Sequence, residues 1–352
     1  RHLTRLNIAE KLNGLINDKQ ATPLWPMILR PSGPPPTPWR RLLSRARPSM
    51  ASAMKTVMTL IAPGADERLA AFAQQVGRAL DRLGADLGPT SWLAPDRACD
   101  IEAERIDPEQ AEAAARAVPV QPDMPLDIIA QPAEGRCKRM LIADMDSTIV
   151  QEETLDELAA AVGLKDKIAA ITARAMNGEL DFKEALAERV AYLEGLDESA
   201  LAETAGRMTM TPGARTLVRT MKANGAHCVL VSGGFTYFTE RVAGIAGFDS
   251  HHGNVLEIAN GKLTGRAVPP LRDKDDKLTT LQAEATTHGL PMAAVLAVGD
   301  GANDLPMLQT AGLGIAYHAK PAVREAARFC VDHNDLTALL FAQGYSAADF
   351  VG

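Results

Sequence analysis

The chain has 352 residues, 46% apolar and 23% charged, with a net charge of −7. That balance lacks the basic footprint of a nucleic-acid binder, and no apolar run reaches the ~18 residues that span a bilayer. Four scattered cysteines, Cys99, Cys137, Cys228 and Cys330, form no CxxC pair; they argue against a disulfide framework or a zinc site and for a reducing cytoplasmic setting. The length predicts two or three domains.

Residues 1–53 differ from the rest. They carry nine Lys/Arg against two Asp/Glu, a balance of +7 that leaves −14 for the remainder. Eight of the 22 prolines fall between Pro23 and Pro48, which favours extended, solvated chain. The segment is basic and poor in acids, as targeting arms are, yet lacks the apolar core of a secretory signal. The chain starts at Arg1, and Met50 and Met54 stand just before the first predicted strand. A disordered tail, or an upstream extension absent from the working protein, is the expectation here.

Residues 54–135 read as a small α+β domain. Lys55–Ala62 is a strand candidate. A helix follows from about Asp66 to Leu83, with Leu69, Phe72, Val76, Leu80 and Leu83 at helical spacing. Strand signals lie within Ser91–Ile101, a short helix opened by Pro108 runs to Ala117, and Leu126–Ala130 is another strand. The order β-α-β-β-α-β is ferredoxin-like. Nothing in it has catalytic spacing, so a docking or stabilising role is expected.

From Arg136 strands alternate with helices, predicting a parallel sheet covered on both faces. The strands are Met140–Ala143, His227–Val231, Ala294–Val298, Leu313–Ala316 and Phe329–Val331. Between the first two lies an insert of four helical runs, about residues 152–207, expected to form a lid over the carboxyl edge of the sheet. Gly253–Val268 reads as a hairpin turning at Asn260-Gly261. His251 and His252 beside it read as surface residues, and Met208 and Met210 as packing.

Three polar clusters directly follow apolar runs: Asp144/Asp146, Ser232-Gly233-Gly234, and residues 299–304 (GDGAND). In open α/β sheets such loops build the site. A phosphate monoester is dianionic and repels an anionic nucleophile. Mg²⁺ takes oxygen ligands and offsets that repulsion. Asp144 can then attack phosphorus to form an aspartyl-phosphate, with Asp146 placed to protonate the leaving alkoxide and later to activate water. Asp300 would complete the metal shell and Asp304 would act from behind it. The Ser232 hydroxyl and Gly233 N–H suit phosphate oxygens. Lys277 supplies a cation, with Lys274 as its rival.

These motifs, Asp144–Thr148 (DMDST), Val231–Phe235 (VSGGF), Lys277 and Gly299–Asp304, resemble the haloacid dehalogenase superfamily, and within it the phosphoserine phosphatase family. The resemblance covers about residues 137–340, with no departure at the motif positions. It implies a Rossmann-like core at 136–352 with a helical cap after the first strand, Mg²⁺ as cofactor, and hydrolysis of O-phospho-L-serine, the last step of serine biosynthesis. It also implies Asp144 as nucleophile and Asp146 as acid/base. The implied metal ligands are Asp144, the main-chain carbonyl of Asp146, and Asp300. Substrate contacts map onto Glu153, Arg189, Ser232, Gly233, Lys277 and Asn303. Glu153 can pair an ammonium and Arg189 can grip a carboxylate with its planar fork, which suits an amino-acid phosphate. The 54–135 domain resembles the ACT-like domain that precedes the catalytic core in some bacterial members. The implied partner is the small-molecule substrate, with neither nucleic acid nor membrane, and a homodimer is left open.

Two rivals stand beside this reading. One passes the phosphoryl group to another alcohol, such as homoserine. The other is a non-catalytic amino-acid sensor, which the complete carboxylate set opposes. A P-type ion pump shares the two aspartate motifs but needs membrane spans.

Overall fold

The computed structural model describes residues 55–121, 123–176 and 180–352, so the expectation for 1–53 lies outside the described residues. Six elements open the described chain: β1 (Thr56–Ile61), α1 (Arg68–Arg82), β2 (Asp86–Ala94), β3 (Ala98–Glu104), α2 (Pro108–Arg116) and β4 (Asp127–Pro132). They form a sheet of order β2-β3-β1-β4 in which every pair is antiparallel. Asp107 caps α2, accepting from the N–H of Gln110 at 2.8 Å, and proline at the first helical position loses no bond there. Leu69, Phe72, Val76 and Leu80 of α1 are buried as their spacing predicts. Leu83 is not: it follows the last helical turn and is 61% exposed.

All six residues of β1 are buried because both faces of this sheet are covered. Met58 and Leu60 pack with Leu69 and Phe72 of α1. Ile61, with Ile129 of β4, joins instead the apolar cluster that continues through the rest of the described chain. Buried carboxylates along this seam are paired, as their desolvation requires. Asp127 accepts from the backbone N–H groups of Asp332, His333 and Asn334 at 2.9, 3.2 and 3.1 Å. Asp100 takes the Thr59 hydroxyl at 2.7 Å and the Arg136 guanidinium at 2.7 Å. Gly344, at φ +90°, lies under that guanidinium, where a Cβ would overlap it.

The larger sheet has the order β11-β10-β9-β5-β6-β7-β8. Its strands are β5 (Met140–Asp144), β6 (His227–Phe235), β7 (Ser250–Ala259), β8 (Lys262–Val268), β9 (Val295–Gly299), β10 (Leu313–Tyr317) and β11 (Phe329–Val331). All neighbours are parallel except β7 and β8. The expected hairpin is therefore present, turning at Asn260 and Gly261, both with positive φ. Its first strand starts earlier than the sequence suggested, because Ser250–His252 pair in parallel with β6.

The period-2 pattern of the central strands assigns their residues to two cores. Leu141, Leu230 and Leu296 face α7 (Ala214–Ala223), α8 (Thr236–Ala246) and α12 (Ala338–Ala342). Ile142, Val229 and Ala297 face α9 (Lys274–Thr287), α10 (Leu305–Thr310) and α11 (Pro321–Ala326). Each fully buried Leu or Ile contributes about 1.5–3 kcal/mol. The chain leaves β5 on one side toward β6 and returns on the other as β9. The switch point between β5 and β9 is where such sheets open a crevice at their carboxyl ends.

The insert forms α3 (Thr154–Ala161), α4 (Lys165–Met176), α5 (Phe182–Ala191) and α6 (Ser199–Arg207). Its two stems meet through a Val150–Met210 bridge and a Gln151 N–H to Thr209 carbonyl bond of 3.0 Å. Lys183 at the start of α5 reaches Asp273, the residue capping α9, at 2.9 Å.

Candidate active site

β5 ends on Asp144, buried at 5% exposure. The chain then makes one wide turn over Met145–Ile149, in which Ser147 adopts φ +55°. A non-glycine residue there costs roughly 1–3 kcal/mol. The turn aims Asp144 and Asp146 into one cavity of about 270 Å³ at the carboxyl edge of the sheet. Oδ1 of Asp144 accepts from the N–H of Met145 at 2.8 Å. Asp146 is held at both oxygens: the N–H of Thr154 donates to one and the Ser232 hydroxyl to the other, each at 2.8 Å. Ser232 Oγ in turn accepts from the N–H of Gly234 at 2.8 Å.

Behind Asp144 lies Lys277, in the first turn of α9, whose start is fixed by a capping box between Asp273 and Asp276. The Lys277 ammonium is buried and sits 2.6 Å from Oδ1 of Asp144 and 2.6 Å from Oδ1 of Asp304. The other Asp304 oxygen accepts from the N–H of Gly301 at 2.9 Å. Gly299 has no room for a side chain, because a Cβ would overlap the Asp304 carboxyl. The glycine-rich loop is thus packing that brings a fully buried carboxylate under the site.

Carboxylate oxygens of Asp144, Asp300 and Asp304 lie within 4.8 Å of one another, close enough to share an ion. Three carboxylates cluster about the one buried ammonium of Lys277, with Lys320 at the cavity wall, so negative charge is in excess. Burial, and then the neighbouring Asp304 carboxylate, push Asp144 well above the ordinary carboxylate range. The same two causes raise Asp300, against the pull of Lys320 and Lys277. Burial alone would lower Lys277, but the Asp144 and Asp304 carboxylates hold it above an ordinary lysine. A hard dication bound among these oxygens would offset the surplus charge, and an oxygen-only donor set suits it.

Of the residues predicted from sequence, Asp144, Asp146, Glu153, Arg189, Ser232, Gly233, Asp300 and Asn303 all line this one cavity. Lys277 and Asp304 lie beneath it. Glu153 and Arg189 come from the insert. Glu153 accepts from the Ser147 hydroxyl at 3.0 Å, and burial, followed by the charge of Asp146, raises its carboxyl above the usual range. Burial lowers Arg189, partly offset by Asp156 and Glu153. Sequence reasoning missed Phe182 and Lys320, which also line the cavity. Lys320 follows β10, so searching the loop after that strand for charge would have found it. Phe182 opens α5 and carries no local signal; only the fold brings its ring beside Gly233.

The family model for haloacid dehalogenase-like hydrolases matches residues 141–309. A phosphoserine phosphatase of Lactococcus lactis subsp. lactis is 44% identical over 203 residues, covering 58% of this chain and 94% of that protein. The chain belongs to the phosphoserine phosphatase family of haloacid dehalogenase-like hydrolases. A second phosphoserine phosphatase, from Streptomyces coelicolor, is 43% identical over 217 residues, 62% of this chain. The match spans only about half of that relative's length, 53%. A crystal structure of a haloacid dehalogenase family hydrolase from Salmonella enterica serovar Typhi superposes with a TM-score of 0.73 at 30% identity, covering 83% of this chain and 99% of that one. Among the described residues no helix is long and apolar enough to cross a membrane.

Proposed function

We propose that the protein hydrolyses O-phospho-L-serine to L-serine and phosphate through a phospho-Asp144 intermediate. The observation that carries this is one cavity whose floor is the buried Asp144–Lys277–Asp304 cluster and whose cap side presents a carboxylate, Glu153, and a guanidinium, Arg189. An amino-acid phosphate bears an ammonium and a carboxylate to match them. The names of its relatives support the same substrate.

Asp144 attacks phosphorus, and the bond from phosphorus to the seryl oxygen breaks. Asp146, oriented by Ser232 and the Thr154 N–H, gives that oxygen its proton. Asp146 then takes a proton from water as the water attacks the phosphoryl group on Asp144, releasing phosphate and regenerating the carboxylate. The Gly233 N–H, Asn303 and the Ser232 hydroxyl are the proposed phosphate contacts. Lys277 fixes the Asp144 carboxylate and adds positive charge beneath the reaction centre. Asp144, Asp300 and the main-chain carbonyl of Asp146 are the proposed Mg²⁺ ligands, with Asp304 behind them. When bound, Mg²⁺ supplies charge neutralisation between nucleophile and phosphate. The helical insert at about 152–207 would act as a cap that excludes bulk water. We assign 54–135 to an ACT-like domain docked on a catalytic core at 136–352.

The reading is tested by phosphate release over phosphoserine, phosphothreonine, phosphoethanolamine and sugar phosphates. Phosphoserine should be the preferred substrate, and release without an added alcohol separates hydrolysis from transfer. Chelation of divalent ions should abolish turnover and Mg²⁺ should restore it; full activity in chelator would overturn the metal assignment. Arg189→Ala should raise KM for phosphoserine on the order of 10–100-fold, the cost of an unmatched charge-assisted pair of about 1.5–3 kcal/mol. Its kcat/KM for a phosphate ester lacking the carboxylate should change little. Equal losses on both substrates would remove Arg189 from carboxylate recognition.

A further inference from the structure

The amino edge of the large sheet carries a second convergence of side chains, far along α9 from Lys277. His227 starts β6, His252 lies in β7, and Glu284 and His288 are one helical turn apart at the end of α9. Oε2 of Glu284 is 3.2 Å from Nε2 of His227 and 3.8 Å from Nε2 of His288. Its other oxygen is 2.8 Å from Nε2 of His252 and accepts from the Ser250 hydroxyl at 3.3 Å. Side chains of His227, Glu284 and His252 are 20%, 16% and 26% exposed, so the cluster is shielded yet open to solvent.

We propose that His227, Glu284 and His288 form a binding site for a borderline transition-metal dication of the zinc type, with His252 as a further ligand or as the group that steadies Glu284. Two observations carry this beyond a chance cluster. Ligand atoms of His227, Glu284 and His288 all lie within 4.8 Å of one another; the stacked His227 and His288 rings, 3.8 Å between centroids, need only turn apart about their side-chain torsions to aim both nitrogens at one ion, whose bonds run about 2.0–2.2 Å. A charge also stands behind His227: Nδ1 faces Oδ2 of Asp249 at 3.7 Å, beyond direct hydrogen-bonding distance. Asp249 is itself fixed by Lys222 at 2.7 Å and by the N–H of Cys228 at 2.9 Å. A carboxylate at that distance favours a cation bound at the ring through its charge. The mixed imidazole and carboxylate set differs from the all-oxygen catalytic cluster. It prefers zinc-like ions over Mg²⁺, so the two sites select different metals.

His252 is half-buried, not the surface residue its position beside the hairpin suggested. The scarcity of paired cysteines, which argued against zinc, has no bearing on a histidine site. A bound ion would tie the end of α9 to the starts of β6 and β7.

The test is zinc titration of the full chain by calorimetry in saturating Mg²⁺, with thermal unfolding in parallel. One equivalent of zinc should bind and raise Tm, since an ion bound only to the folded state stabilises it. Affinity should fall as pH drops, because protons compete with the metal for its ligands. The His227→Ala/His288→Ala double variant should lose affinity by at least the roughly 10–100-fold that loss of an outer partner costs, while releasing phosphate at the parental rate in zinc-free buffer. His288→Ala alone, at an exposed helix end, serves if the double variant unfolds. Parental zinc affinity in either folded variant, or no 1:1 binding by the parent, would overturn the site.

Discussion

Asp144→Asn should fold and release no phosphate. Asparagine keeps the shape of the side chain and can still accept from the Met145 N–H, but it cannot form an acyl-phosphate. Turnover should fall on the order of 10⁴-fold or more, the scale seen when one member of a concerted catalytic set is removed. The expected stability change runs the other way. Burial and Asp304 raise the folded pKa of Asp144. A carboxyl raised on folding favours the native state only while protonated, and that contribution is lost as pH rises from the unfolded value, about 3.9. Without metal, ionising this group therefore costs more in the native than in the unfolded state. The variant should then melt at or above the parental temperature in chelator, and should gain less than the parent from added Mg²⁺. Normal turnover would end the nucleophile assignment. A large drop in metal-free Tm would mean the ion pair with Lys277 outweighs the desolvation of Asp144.

Much of this site was legible because strand ends are legible. Asp144, Ser232 and Asp300 each follow a continuous apolar run buried on both faces, and parallel strands deliver their carboxyl ends to one edge. Glu153 and Arg189 carry no such signal; the family resemblance found them and the insert places them. Phe182 needed the fold, since its neighbours at the cavity are distant in sequence, whereas Lys320 sits in a strand-end loop, where its charge was open to a search. The packing between the four-stranded sheet and the rest of the chain was equally silent. Asp100 and Asp127 read as ordinary charges on strands, yet each is buried and paired with groups from another part of the chain. Their partners, Arg136 and residues 332–334, come from outside the four-stranded sheet, and no local pattern encodes that. Leu83 failed for a simpler reason. Its spacing continued the apolar stripe of α1, but the helix stops at Arg82.

The second large effect is expected at Lys277. Its ammonium touches two carboxylates at 2.6 Å in a buried setting, so Lys277→Met leaves both without their shared cation. Removing one partner of a buried pair costs about 3–5 kcal/mol, and loss of a preorganised charge at a reaction centre costs roughly 10²–10³ in kcat. Because the carboxylates raise the folded pKa of Lys277, its contribution is present throughout the neutral range and fades only as pH climbs beyond that of an ordinary lysine. Activity alone would not separate a catalytic role from a weakened fold, so the decisive measurement is a double-mutant cycle on stability. If Lys277 acts mainly by compensating Asp144, adding Asp144→Asn removes one of the stranded charges, and denaturant titration should show part of the loss recovered. The coupling should fall within about 0.5–3 kcal/mol, the range for residues in contact. Strict additivity would instead locate the lysine's whole effect at Asp304. Asp144 would then owe its position to the β5 turn and not to the cation beneath it.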